Sequence, residues 1–352
     1  MPSSINLDQK FRQQWLDKLW AVLFDDDHKG LLSPRQVRAS KQDRALIRKL
    51  EMKAIFEAEE DINKLHLGLK SFDFQGNLVD TPPIDDVATF DIIERDTVSV
   101  SDTIGTTTAP MLLKSVAKEI EVFNLQRALN LRKMALLAEE EIYLSPLCPV
   151  SPQWPTAEWL TLWKQVAQDI YNAEIQRLMV KVLVAEVAKP GCYAMTTLQT
   201  LKILSVNDIE MVHILSKFSF GQFIFNAETA YFNSDVYRNI FDVTDDLGLI
   251  SGVGLEQRIQ LFASTSQDTY ERVFHCADKA IKVMHGDARK QLQLPVYRVT
   301  RPAREIMALD TVQADLAYLF EVAAFIKKQG YEVSLGECKG SVDAAFIEKV
   351  AL

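Results

Sequence analysis

TAEWLTLWKQVAQDIYNAEIQRLMVKVLVAEVAKPG, residues 156–191, is the stretch whose reading decides the fold. Trp159, Leu160, Trp163, Val166 and Ile170 recur at the three- and four-residue spacing of one buried helical face. Thr156 stands where an N-cap hydroxyl can accept the free amide hydrogens of a first turn. A second run, Asn172 to Ala188, is rich in apolar residues and stops at Lys189-Pro190-Gly191, where proline cannot continue a helix and glycine takes the left-handed turn. Two helices joined by a break therefore occupy the middle of the chain.

Working outward toward the C-terminus, helices are expected over 196–204 and 206–218, the second opened by Ser205 with Asp208 three residues on, close to a capping box. Further helices are expected over 227–246 and over Gln267 to Met284, and a terminal one over Val342 to Val350, with a short alternating strand at Tyr331 to Leu335. Toward the N-terminus, Leu46, Leu50, Ala54, Ala58, Ile62 and Leu65 predict a helix over 41–69. Leu113, Val116, Ile120 and Phe123, then Leu131, Met134, Ala138 and Ile142, predict a long one over 111–143, which could pair with the first or form an oligomer seam.

Between them, Ser71 to Pro110 loses the period and carries Pro82-Pro83, Gly76 and Gly105, which reads as a loop-rich linker with local order around Phe72, Phe74 and Phe90. A short amphipathic helix carries Phe11, Trp15, Leu19, Trp20, Val22 and Leu23. Because Asp25, Asp26 and Asp27 beside it would repel anionic lipid, docking on the protein's own core or on a partner is favoured over a membrane.

The expected architecture is mainly α: an N-terminal helical region (1–70), a linker (71–110), a long helix (111–145), a helical domain (146–220) begun by Pro146, Pro149, Pro152 and Pro155, and a winged-helix-like α/β C-terminal part with an insertion (221–352). A chain of 352 residues exceeds one ordinary core, and 48% hydrophobic with 25% charged residues is a globular composition that argues against wholesale disorder. The net charge of −9 opposes non-specific attraction to nucleic acid or anionic lipid. Cys148, Cys192, Cys276 and Cys338 lack paired spacing, so neither a disulfide framework nor a zinc site is implied. The polar start has no secretory signature, and no run approaches the roughly 20 apolar residues of a spanning helix, so a cytoplasmic protein without integral membrane association is expected.

Several elements then agree with a known pattern. Trp163, "AQDI" at 167–170, Gln176 within "AEIQRL", "LVAEVAKPG" at 183–191 and "TLQTLKILS" at 197–205 resemble an uncharacterised bacterial family, a domain of unknown function, over about 130–328. The family's tryptophan after the glutamine is Met179 here, and its glycine before the glutamate is Ala185. The resemblance carries no catalytic residue; a distant likeness to abortive-infection proteins suggests phage defence or stress response. "YRVTRPAREIMAL" at 297–309 resembles the strand-to-helix ending of winged-helix domains, with Thr300 as the helix cap.

No nucleophile with a base, no paired carboxylates and no metal-ligand spacing emerges, so no catalytic residue, metal or cofactor is expected. His275-Cys276 falls in the expected helix 267–284, where a core cysteine beside a surface histidine is the simpler reading. Glu139, Glu140 and Glu141 read as a solvated face. Trp163, Gln176, Glu186, Pro190 and Gly191 are the motif residues. Glu186 either binds a ligand or pairs with Arg177, Lys181, Lys189 or nearby backbone, and the structural role is favoured. Arg289, Lys290, Arg298, Arg301 and Arg304 are the candidate nucleic-acid contacts. The leading expectation is a non-enzymatic interaction or regulatory protein with a protein partner or self-association. A DNA-binding regulator is the first alternative, and an enzyme whose pocket gathers titratable groups from distant segments is the second.

Overall fold

The computed structural model describes residues 14–23, 41–73, 77–81, 109–144, 151–226, 232, 234–254, 258–338 and 346–351. The chain forms two compact units, Met1–Tyr171 and Asn172–Leu352, so Pro152 and Pro155 lie inside the first.

In the first unit a short helix α1 (14–23) buries Trp15, Leu16, Leu19, Trp20, Val22 and Leu23 and exposes 14, 17 and 21. It is docked on protein, as its sequence suggested. Lys18 is buried with it, donating to the carbonyls of Ser151 and Gln153, and burial pulls its pKa down. Helices α2 (Lys41–His66) and α3 (Ala109–Leu144) pair through Lys133–Glu59 at 2.8 Å. At one end Ile62, Leu65 and Val122 form a small core, closed by Phe72 and Leu78 of the hairpin β1 (Lys70–Phe72) and β2 (Leu78–Asp80). Phe72 thus has the local order expected of it, while Phe74 and Phe90 lie outside the described residues. Helix α4 (Ala157–Ala167) is capped by Thr156, whose hydroxyl accepts from Trp159 N, and buries Trp159, Trp163 and Val166. Arg127 of α3 pairs with Asp169 beyond α4, and Asn130 donates to the carbonyls of Gln168 and Ile170.

The solvated-face reading fails at Glu139. Glu140 is exposed, but Glu139 is only 4% exposed and accepts from the indole of Trp20. One residue along a helix rotates the side chain by about 100°, which is enough to turn a run of acids inward at one position.

The second unit begins with helices α5 (Ala173–Ala188), α6 (Met195–Ile203) and α7 (Val206–Ser216). Asn172 caps α5, and Ser205 with Asp208 closes a full capping box on α7. Then the composition of the fold changes. Strand β3 (Phe223–Phe225), helix α8 (Asp235–Asp246), β4 (Ile250–Ser251), β5 (Ile259–Phe262), β6 (Tyr270–Cys276), β7 (Lys279–His285), β8 (Leu292–Val299), helices α9 (Arg301–Met307) and α10 (Leu316–Lys328), and strands β9 (Glu332–Cys338) and β10 (Phe346–Ala351) follow. One antiparallel sheet runs β10-β9-β7-β6; in another, β8 lies between β3 and β4 and also pairs with β5.

The chain is therefore mixed α/β, not mainly α, and the C-terminal part is not a helical domain ending in a small α/β element. Two expectations produced the error. The expected helix over 267–284 is instead the hairpin β6–β7 over 270–285, in register from Tyr270↔His285 to Cys276↔Lys279. Its buried positions 270/274/276 and 281/283 keep the two-residue period of strands, yet 270/274 and 276/280/283 also stand at helical spacing. The two-residue turn Ala277-Asp278 also lacks the glycine or asparagine that marks a hairpin, and Ala277 takes φ 50° instead. Residues 346–350, part of the helix expected over 342–350, fall in β10 because β9 offers them an edge. Pairing with a neighbour outweighs local propensity there.

The core of this unit is aromatic. Phe218, Phe220, Phe225, Phe232 and Tyr318 pack edge-on, tilted or stacked, with centroids 4.4–6.0 Å apart. Tyr318 of α10 is fully buried, and its hydroxyl both accepts from Phe225 N at 2.8 Å and donates to Phe225 O at 3.0 Å. Burial drives its pKa well upward, so the phenol stays neutral and keeps both bonds.

Candidate functional site

In the second unit α5, α7 and the end of α9 enclose a groove of about 430 Å³, within the size range of ligand-binding clefts. Helix α5 contributes Glu174, Arg177, Leu178 and Lys181, whose spacing places all four on one face. Helix α7 contributes Ile209, Glu210, Val212, His213 and Ser216, and the third wall is Ile306, Met307 and Asp310. Leu178, Val212 and Ile306 are buried and form an apolar floor, flanked by half-buried Ile209 and Met307. The rim is charged with both signs. Lys181 is committed, donating to Asp310 and to the Leu309 carbonyl, which ties α5 to the end of α9. Arg177, Glu174, Glu210 and His213 are exposed on the rim.

The motif residues lie elsewhere and hold the structure together. Trp163 is fully buried in α4 of the first unit; Gln176 and Glu186 are buried in α5 of the second. Glu186 does not pair with Arg177, Lys181 or Lys189. Its carboxylate instead accepts from the backbone N–H of Gly191 at 2.6 Å and of Tyr193 at 3.0 Å, and from the Cys192 thiol at 3.4 Å. Gly191, at φ 87°, and Pro190 let the chain double back far enough for its amides to reach that carboxylate. Of the ion pairs and backbone bonds that the sequence offers Glu186, the structure has the backbone bonds.

A second carboxylate completes the splint. Ala194, at the N-cap of α6, has no side-chain oxygen to offer the first-turn amides, and Glu305 of α9 fixes the start of the helix in another way, accepting from Ala194 N at 2.8 Å and from the Thr197 hydroxyl, while its other oxygen takes Arg301 Nε at 2.6 Å. Sequence reading missed Glu305; its one local signal was the four-residue spacing from Arg301.

Neither described free thiol is primed for nucleophilic chemistry. Burial, helped by the neighbouring Glu186 carboxylate, pushes Cys192 up to about 12. Cys276 is fully buried on the face of β6 opposite His275, bonds to the Lys217 carbonyl, and is raised still further by burial. Among the described residues no cluster of His, Cys, Asp and Glu is arranged to hold a metal.

The five candidate nucleic-acid contacts are dispersed. Arg289 and Lys290 precede β8 while Arg298 ends it, a separation of roughly 26 Å along the strand. Lys290 donates to the Gln329 carbonyl and lies 4.3 Å from the Tyr331 ring centroid, Arg301 pairs with Glu305, and Arg304 has its Nε shielded from solvent. Thr300 sits at the N-cap of α9, yet its hydroxyl makes no capping bond and instead donates to the Leu249 carbonyl at 2.9 Å.

Residues 118–231 match a family described as Protein of unknown function (DUF2806). The DUF2806 stretch overlaps the region in which the sequence resembles an uncharacterised family, and it includes Trp163, Gln176, Glu186, Pro190, Gly191 and two walls of the groove. No curated protein and no solved structure matches the chain. None of the described helices is long and apolar enough to cross a membrane.

Proposed function

We propose that the chain is a non-enzymatic binding protein of the cytoplasm whose groove between α5, α7 and α9 accepts an amphipathic helical segment of a partner protein. The observation that carries this reading is the combination of an apolar floor, Leu178, Val212 and Ile306, with a rim of both charge signs set at helical spacing on two helices. A helix laid in such a trough buries its apolar face at i, i+3, i+4 and i+7 positions and meets the rim with its flanks. Arg177 on one wall favours an acidic flank and Glu210 on the other a basic one. Titratable groups do gather here, as an enzyme would require, but they sit on an open, solvated rim and the thiols outside it are held protonated, so binding is better supported than catalysis.

The test is selection of a displayed library of 20-residue amphipathic helices on the full chain and on an Ile209→Glu/Met307→Glu variant. Enrichment on the native chain of peptides with one acidic and one basic flank, lost on the variant, is the expected result. Equal enrichment on both would sink the proposal.

Self-association is the second reading, favoured by Val116, Ile120 and Phe123, which stand exposed on one face of α3. Light scattering that gives a monomer across the micromolar range, or a dimer unaffected by Ile120→Asp, removes it. The nucleic-acid alternative is weaker: α8 exposes Asp235, Asp242 and Asp246, and the basic residues form no single surface.

A further inference from the structure

The outer strands of the two larger sheets are guarded unequally. The edge of β6 is taken up by the segment before it: Thr265 N donates to Glu271 O at 2.9 Å, Glu271 N donates to Ser264 Oγ at 3.0 Å, and Arg272 donates to Ala263 O at 2.8 Å. β3 is bridged at Ile224 by Ser219, and β10 has Glu348 and Lys349 in its sequence. Covering segments and charges of this kind keep other chains off an edge. β5 pairs with β8 alone among the described strands, and Ile259–Phe262 includes neither a charge nor a proline. Ile259 and Leu261 stand 58% and 51% exposed on it. The pairing with β8 also decides which backbone groups look outward. Val296 N donates to Arg258 O at 2.9 Å, so in the register Ile259↔Pro295, Gln260↔Leu294, Leu261↔Gln293 the bonds to β8 come from Gln260 and Phe262, and the amides and carbonyls of Ile259 and Leu261 point to the free edge. Pro295, with no N–H to give, stands opposite Ile259 in keeping with that alternation. Leu261 O takes one bond, from Gln260 Nε2 at 3.3 Å, and keeps a second lone pair.

We propose that β5 is a dimerisation edge, pairing antiparallel with β5 of a second copy of this chain about a two-fold axis at Gln260. A second copy is the occupant because the edge is its own complement. With the axis there, Ile259 lies opposite Leu261 of the second copy, and the reverse, in pairs of the kind that exchange both backbone bonds. The two exposed apolar side chains of each copy then meet their counterparts on one face, and Gln260 faces Gln260 with amides that both donate and accept. Moving the axis to residue 259 or 261 keeps the bonding pattern but sets Leu261 opposite Gln257 or Ile259 opposite Ala263, so only the axis at Gln260 matches both apolar residues. The contact does not depend on the groove between α5, α7 and α9. One short ladder and two apolar side chains per copy fall below the ~800 Å² per partner of a standard interface, so the dimer is weak, with a dissociation constant of about 0.1–1 mM.

Disulfide trapping in the full chain reads both the contact and its register. At the axis the two Cα atoms of position 260 lie about 4.5 Å apart, within disulfide reach, whereas those of position 259 lie about 8 Å apart and beyond it. With the native chain as the background, Gln260→Cys at about 100 µM under copper-phenanthroline oxidation should form a covalent dimer at least about tenfold faster than Ile259→Cys. Adding Leu261→Lys to Gln260→Cys puts a charge opposite Ile259 at an exposed position and should slow trapping by about tenfold, while the circular dichroism of the chain stays native. Trapping of Gln260→Cys at the background rate, which would make the edge a site for some other extended segment, overturns the proposal. So does equal trapping at 259 and 260, or trapping that Leu261→Lys does not slow.

Discussion

Glu186→Ala removes an acceptor shared by three donors across the turn between α5 and α6. Bonds to a charged acceptor contribute about 1.5–3 kcal/mol each, so the two backbone bonds alone give an upper figure near 6 kcal/mol. Gly191 is exposed and Tyr193 half-buried, so the released amides can reach water, and the expected loss is about 2–3 kcal/mol. Glu186→Gln keeps an acceptor oxygen but not its charge and should lose about 1 kcal/mol. All the tryptophans, Trp15, Trp20, Trp154, Trp159 and Trp163, precede residue 172, so tryptophan emission reports the first unit alone. The loss should therefore be read in the second unit, as earlier exchange of peptides from 172–352 in a urea series. If Glu186→Ala leaves those peptides within about 0.5 kcal/mol of the native chain, the carboxylate is not a splint, and the ligand-binding role set aside for it returns.

Tyr318→Phe deletes a hydroxyl that satisfies both backbone groups of Phe225 and should destabilise the second unit by about 2 kcal/mol, seen as a lower urea midpoint by far-ultraviolet circular dichroism. An unchanged midpoint would mean that water replaces the phenol at a fully buried position. Ala277→Gly relieves a positive φ in the exposed β6–β7 turn and should raise stability by up to about 1 kcal/mol; a fall would show that the turn is not strained.

What could be read in advance was local. Thr156, Ser205 with Asp208, and the Pro190-Gly191 stop each act within one turn of chain, and each is where its residue type predicted. The buried faces of α4 and α5 follow from period alone. The hairpin β6–β7 was misread because its apolar spacing fits two periods and its turn uses Ala277 in place of glycine. The strand β10 was misread because the reason for it lies in β9. Glu139 turned inward because Trp20 and Arg48, about ninety or more residues away in sequence, meet it there. The groove was invisible for the same cause: segments 174–181, 209–216 and 306–310 each look like an ordinary solvated helix face until α5, α7 and α9 are set side by side.

The binding role of that groove is the central claim, and calorimetric titration of the dominant selected helical peptide tests it most directly. The native chain should bind it saturably in the micromolar range with a negative heat-capacity change from buried apolar surface, and the Ile209→Glu/Met307→Glu variant should bind at least about tenfold more weakly. Equal affinity for the two proteins, or no saturable binding by the native chain, would contradict it.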